Sequence, residues 1–226
     1  MPITLTALSD LAMLPFDDLI DVRSPAEFAE DHVPGAINLP VLTNAERARV
    51  GTIYVQQDRF LARKIGAALV SRNAAAHLEG PLADKPGSWR PLVYCWRGGQ
   101  RSRSGASSLK EVGWRTDTVA GGYKAYRALV VGALYQAPLS VRVVPVGGGT
   151  GTAKTRLLGN IAEAGGLVID LEAMAEHGGS LFGPMGAAQP AQKMFESRLA
   201  AALTKLDPAR PVFVEAESSK IGDIIL

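Results

Sequence analysis

Apolar and polar positions alternate along the first part of the chain in short runs of two periods. "LIDVR" (19–23) is an apolar run ending in charge and predicts a short strand, "SPAEFAEDHV" carries a Ser-Pro helix start, and "AINLP" (36–40) predicts a second strand. Residues 44–80 turn to helical spacing of apolar positions, most clearly in their second half. "RPLVYCW" (90–96) is a continuous apolar run, as in a strand buried on both faces, and it delivers Cys95 at its C-terminal end. "SRSGASSLKEVGW" predicts a helix starting just after the arginines, and "TDTVAGGYKAYRALV" a strand, a Gly-Gly turn and another helix. Strands alternating with helices imply a mainly parallel α/β sheet with ligands at the strand C-termini.

A second unit is expected after "YQAPLS", where proline and small residues break the helical pattern, so the domains are placed at 1–137 and 138–226. Residues 141–165 predict strand, glycine-rich loop and helix, and further strands are predicted at "LVID" (167–170) and "PVFVEAE" (211–217). That is short for a doubly wound nucleotide-binding domain. The second unit is therefore expected to be incomplete, less stable than the first and prone to associate through its apolar end.

Composition narrows the class. With 47% hydrophobic and 20% charged residues the chain is expected to fold as a soluble protein, and with no apolar run long enough to span a membrane and no signal-like start it is expected in the cytoplasm. One cysteine excludes an internal disulfide. The net charge of +2 does not by itself indicate a nucleic-acid binder, but Cys95–Arg127 holds seven basic residues against Glu111 and Asp117. That local excess reads either as a solvated basic face or as a site for anions or a phosphate backbone.

The stretch "VYCWRGGQRSRSG" concentrates the chemistry. A strand ending in cysteine, then a tight glycine-containing loop and a helix, points backbone N–H groups at the sulfur; this stabilises a thiolate and binds an anion beside it. Cys95 is therefore expected to be a nucleophile rather than an inert packed thiol. The spacing Cys95-x5-Arg101 is also that of cysteine-dependent phosphatases, although Tyr94 stands where those have histidine. The second loop, "GGTGTAKT" (148–155), nearly matches G-x-x-x-x-G-K-[ST], with Gly148, Gly149, Thr150, Gly151, Thr152, Lys154 and Thr155 as phosphate-binding candidates. Ala153 replaces a glycine there; it is strained if the position needs a positive φ and tolerated if the position is helical. Asp170 and Glu215 end apolar strands, where a carboxylate holds a metal-bound water or simply terminates a strand.

Two signatures carry a resemblance. "DVRSPAEFAEDHVPGAINLP" (21–40) and "YCWRGGQRS" resemble rhodanese domains, whose cysteine takes up sulfur or a related chalcogen while loop amides cradle it. Together with the glycine-rich loop, "GGYKAYR" (121–127), "DLEAMAEHGGSLFG" (170–183), "QPAQKMFESRL" (189–199) and "VEAESSKIG" (214–222), they closely resemble the bacterial tRNA 2-selenouridine synthase family. The resemblance implies a rhodanese-like domain followed by a P-loop domain. It implies S-geranylation of wobble 2-thiouridine from geranyl diphosphate, then replacement of the geranylthio group by selenium from selenophosphate. Cys95 would carry or deliver selenium, and Trp96, Arg97, Gly98, Gly99, Gln100 and Arg101 would hold the selenophosphate anion. The glycine-rich loop would hold geranyl diphosphate, or a nucleotide with Mg²⁺, and Arg103, Arg115, Lys124 and Arg127 would meet tRNA phosphates. The resemblance also makes selenophosphate synthetase a candidate partner, and it makes the chain look C-terminally truncated. A generic sulfurtransferase and a non-catalytic tRNA-binding module are the alternatives, separable by cysteine alkylation.

Overall fold

The structure is a computed structural model, and it describes all residues except 140, 149–151, 177–188, 217–219, 222–223 and 226. The chain divides into two compact units, Met1–Ala128 and Leu129–Leu226.

In the first unit, four parallel strands lie in the order β2-β1-β3-β4, with β1 at Asp18–Asp21, β2 at Ile37–Asn38, β3 at Pro91–Tyr94 and β4 at Asp117–Thr118. The register pairs Ile20 with Ile37 and with Val93, and Val93 with Thr118. All four residues of β3 are buried, which is why its sequence reads as an unbroken apolar run. The helices are α1 (Asp10–Met13), α2 (Pro25–Glu30), α3 (Asn44–Gln56), α4 (Arg59–Glu79), α5 (Gln100–Val112) and α6 (Gly122–Val131), the last running across the division between the units. Ile20, Val22, Val41, Val93, Ala106, Leu109 and the edge-on pair Trp89–Trp114 form the core over which α5 packs.

The long 44–80 segment becomes two helices because Asp58 caps the second, its Oδ1 accepting from Leu61 N at 2.6 Å. α5 also corrects the expected start: it begins at Gln100, so Arg101 and Arg103 lie in its first turn instead of preceding it.

The second unit has a three-stranded parallel sheet, β5 (Val143–Gly147), β7 (Val212–Ala216) and β6 (Leu167–Ile169), in the order β5-β7-β6. A π-helical turn (Gly132–Gln136), α7 (Lys154–Glu163), α8 (Leu171–Met174) and α9 (Gln192–Leu203) complete it, followed by the antiparallel pair β8 (Lys220–Ile221) and β9 (Ile224–Ile225). Its core gathers Ile169, Leu171, Phe195, Leu199, Val212 and Val214. No helix among the described residues is long and apolar enough to cross a membrane.

Candidate functional site

Cys95 follows directly on β3, at the C-terminal edge of the sheet, and its side chain is buried. Its S–H donates to Ser102 Oγ at 3.2 Å, and the Ser102 hydroxyl donates to the Gly99 carbonyl at 3.1 Å, which fixes the thiol against the first turn of α5.

The loop around the thiol is shaped from below. The carbonyls of Cys95 and Trp96 accept from Tyr123 N at 2.8 Å and Lys124 N at 3.0 Å, so the N-terminus of α6 draws the loop's oxygens to one side. The N–H groups of Trp96, Arg97, Gly98 and Gly99 have no acceptor among the described residues, and the first-turn amides of α5 add to them. These are unpaired backbone donors in a loop next to a buried thiol, and unpaired loop amides of this kind can hold an anion.

Two glycines make the close approach feasible. Gly98 has φ 65°, and a Cβ there would sit 2.9 Å from Val119 O; Gly122 has φ 58°, and a Cβ there would sit 2.7 Å from Gly98 N and run into the Cys95 carbonyl.

The "DVRSP" signature proves to be the foundation of this loop. Buried Arg23 forks onto Asp21 (Nη2–Oδ2 2.6 Å), donates to Asp31 O at 2.6 Å and lies 4.1 Å from the Tyr123 ring centroid. Tyr123 in turn stacks on Trp96 at 5.2 Å, leaving Trp96 36% exposed at the loop surface. Burial and a hydrogen bond to Asp31 raise the Tyr123 phenol well above its ordinary range, so it stays a neutral donor at 2.6 Å. Burial likewise keeps Tyr94 neutral; its hydroxyl accepts from Val33 N at 3.2 Å, so it occupies the phosphatase-histidine position as a structural group.

The arginines divide by role. Arg101 donates from Nη1 to Glu27 Oε2 at 2.7 Å and from Nη2 to Glu27 Oε1 at 3.3 Å, tying α5 to α2, while Arg47 reaches the same carboxylate at 2.7 Å. Burial works to raise the Glu27 carboxyl, but the hydrogen bond and charge of Arg101, the charge of Arg47 and the Ser24 hydroxyl outweigh it and hold it at about 2. Arg127 lies 3.8 Å from Asp31. Arg97 and Arg103 are exposed, with no acid partner among the described residues, and Lys124 is exposed on the first turn of α6.

Arg115 departs from the cluster read in the sequence. It lies with Asp17, Lys85 and Arg90 around a cavity of about 770 Å³ where β1, β3 and β4 begin, at the opposite edge of the sheet from Cys95. Sequence reasoning did not single out Glu27, Ser102 or the Arg23–Asp31 network. The Ser24-x-x-Glu27 capping spacing was the available signal for Glu27.

In the second unit, β5 leads through the glycine-rich loop into α7. Gly149, Thr150 and Gly151 lie outside the described residues; Thr152 and Thr155 are exposed. Lys154 is buried, donates from Nζ to Gly148 O at 2.9 Å and lies 3.7 Å from Glu215 Oε1. Ala153 has φ 58° and ψ 33°, so the position where the pattern has glycine is left-handed and alanine is strained there. The two candidate carboxylates differ in what they hold: Glu215 is on β7, paired in register with Val146 of β5, whereas Asp170, directly after the neighbouring β6, caps α8, accepting from Ala173 N at 2.8 Å. Lys154 and the first amides of α7 are of the kind that fits a phosphate group, and for the lysine to meet one it would leave Gly148 O and Glu215. Among the described residues no group of three or more His, Cys, Asp or Glu is arranged to hold a metal.

A cysteine beside a loop of unpaired amides on a parallel sheet, followed by a strand–loop–lysine helix in a second unit, defines a rhodanese-like domain joined to a P-loop-type domain. The family models agree: the rhodanese-like domain matches residues 4–129, and the tRNA 2-selenouridine synthase AAA domain matches residues 141–226. The chain belongs to the tRNA 2-selenouridine synthase family.

The tRNA 2-selenouridine synthase of Nitrosomonas europaea is 39% identical over 97% of this chain and 58% of that protein. The Bordetella bronchiseptica protein of the same name is 40% identical over 92% and 56%. The chain thus spans little more than half the length of the curated relatives it matches. Among solved structures, the N-terminal domain of a Clostridium difficile 630 protein described as ATP/GTP binding is 34% identical over 58% of this chain and 99% of that one, at a TM-score of 0.49.

Proposed function

We propose that this chain takes part in converting wobble 2-thiouridine of tRNA into 2-selenouridine, with Cys95 as the chalcogen-carrying nucleophile. The observation that carries the reading is the run of unpaired Trp96–Gly99 amides next to the buried Cys95 thiol, in a chain whose relatives bear that enzyme's name. The loop suits a selenophosphate anion: four loop amides without an acceptor and the first turn of α5 would supply donors, and the exposed Arg97 and Arg103 would supply positive charge. Arg101 acts through position instead, holding the first turn of α5 against Glu27.

The reaction exchanges a carbon–sulfur bond at the base for a carbon–selenium bond. S-geranylation makes the sulfur a competent leaving group, and the loop around Lys154 is the site proposed for geranyl diphosphate; a nucleotide with Mg²⁺ is the other phosphorylated ligand it fits. The Cys95 thiolate takes selenium from selenophosphate as phosphite leaves; the resulting Cys95–S–Se⁻ forms the carbon–selenium bond as geranylthiolate leaves, and an external thiol supplies the two electrons that cleave selenium from the Cys95 sulfur. Selenophosphate synthetase is the proposed source of the selenium donor.

The test is incubation with 2-thiouridine tRNA, geranyl diphosphate and selenophosphate, with nucleosides analysed by mass. The wild-type chain should yield 2-selenouridine, and Cys95→Ala, folded by thermal melt, should yield none. Selenium incorporation by Cys95→Ala at the wild-type rate would remove the thiol from the mechanism.

A further inference from the structure

Four large apolar side chains stand exposed within eight residues at the elbow between α3 and α4: Tyr54, Val55, Phe60 and Leu61, with Phe60 74% and Tyr54 42% exposed. Basic groups share that elbow. The Arg59 guanidinium lies 5.5 Å from the Tyr54 ring centroid, and Arg59, Arg63 and Lys64 have no acid partner among the described residues. Asp58, the one acid there, is engaged as the cap of α4.

The elbow opens into a cavity of about 130 Å³ between α3, α4 and the start of α5. Val50, Tyr54, Arg63 and Gly66 line one side; Gln100 and Arg101 line the other, so the cavity and the cysteine loop share a wall. Its size is that of a subsite, not of a whole-ligand pocket.

Aromatic faces interleaved with unpaired arginines and lysine suit unpaired RNA, whose bases stack on aromatic rings and guanidinium planes while phosphates meet the cations. A protein partner would meet the same uncompensated positive charge at a desolvation cost. We propose that this elbow and cavity bind an unpaired nucleotide next to the one modified at Cys95. Its base stacks on Tyr54, Phe60 offers a second stacking face, and Arg59, Arg63 and Lys64 face the phosphates. The proposal rests on the reading of RNA as substrate.

Fluorescence polarisation with the full chain tests it, using a synthetic anticodon stem–loop carrying 2-thiouridine and a fully paired RNA duplex of equal length. Tyr54→Ala should weaken the stem–loop about tenfold, as expected for one lost base stack, while Tyr54→Phe stays within about twofold and the duplex affinity is unchanged. Arg63→Gln should lower the salt slope by about one on the stem–loop and leave the duplex slope unchanged. Iodoacetamide labelling of Cys95 and thermal melts confirm that the cysteine loop and fold persist; if Tyr54→Ala fails to fold, Phe60→Ala and Arg63→Gln carry the test.

Equal losses on stem–loop and duplex, or no loss on the stem–loop, overturn the subsite. A loss seen only with an S-alkylated stem–loop assigns the cavity to the alkyl chain and likewise overturns it. A wild-type chain that binds no stem–loop overturns the RNA reading and this proposal together, whereas wild-type binding with an unaffected Tyr54→Ala overturns the subsite alone.

Discussion

The cysteine loop and the glycine-rich loop share one plan, strand to loop to helix N-terminus, yet they stand in opposite conditions. Around Cys95 the loop's carbonyls are tied down to α6, its amides are open, and the backbone's left-handed positions are glycine. Around Lys154 the cation turns back onto Gly148 O and Glu215, and among the described residues of that loop the left-handed one is alanine. The first loop leaves its amides without an acceptor, whereas the second engages its own lysine, which a bound anion would have to displace. Strain and self-contact, not motif score, separate a loop with open donors from one whose cation is already engaged.

The largest effect should come from removing what preorganises the first loop. Gly122→Ala places a Cβ against the Cys95 carbonyl and Gly98 N at a φ of 58°, and it should cost roughly 2–4 kcal/mol, read as a fall in denaturant midpoint with unchanged slope. A change under about 0.5 kcal/mol would mean the loop yields, and the contrast in rigidity would be lost.

Next is the tie between α2 and α5. Glu27 is held at about 2 in the folded chain against an ordinary 4.5, so its contribution is fully present above about pH 4.5 and drains away as pH falls towards 2. Discounted for the solvent screening of a half-buried carboxylate, that contribution is about 2 kcal/mol. Glu27→Gln should lower the melting temperature at pH 7 and flatten its fall between pH 5 and pH 3, values chosen to bracket that range. An unchanged acid limb would place the acid sensitivity elsewhere.

In the second loop, Lys154→Ala should weaken a phosphorylated ligand about tenfold or more, measured by calorimetry with geranyl diphosphate, and leave the alkylation rate of Cys95 unchanged. Parallel loss of both would join the two loops into one site. The smallest effect is Ala153→Gly. It relieves a left-handed alanine and should stabilise the chain by about 1 kcal/mol, with equal or tighter phosphate binding. Destabilisation with no effect on ligand would make the loop a structural turn.

Some of this was written in neighbouring residues. The run Pro91–Tyr94, then Cys95, two glycines and a helix is local, and alternation and helical spacing suffice to place the thiol at a strand end over a helix N-terminus. The same holds for Val143–Gly147 followed by Lys154, and for the strands at Leu167–Ile169 and Val212–Ala216. Hydrophobic periodicity and turn chemistry act over a few residues, so a reader of the chain can follow them.

What those residues do to one another was decided by long-range packing. Arg101 meets Glu27 across 74 positions, and Tyr123 meets Asp31 across 92, because parallel strands bring the segment after β1 to the same edge as the segments after β3 and β4. The basic cluster from Arg97 to Arg127 looked like one patch, but α5, at about 1.5 Å per residue, carries the chain back to the other edge of the sheet and takes Arg115 with it. Whether Ala153 was strained depended on a φ that alanine can adopt either way. Local pattern sets which residues enter a turn or a helix, whereas charge pairing, the donors left open and the side of the sheet a group faces depend on strand order and direction.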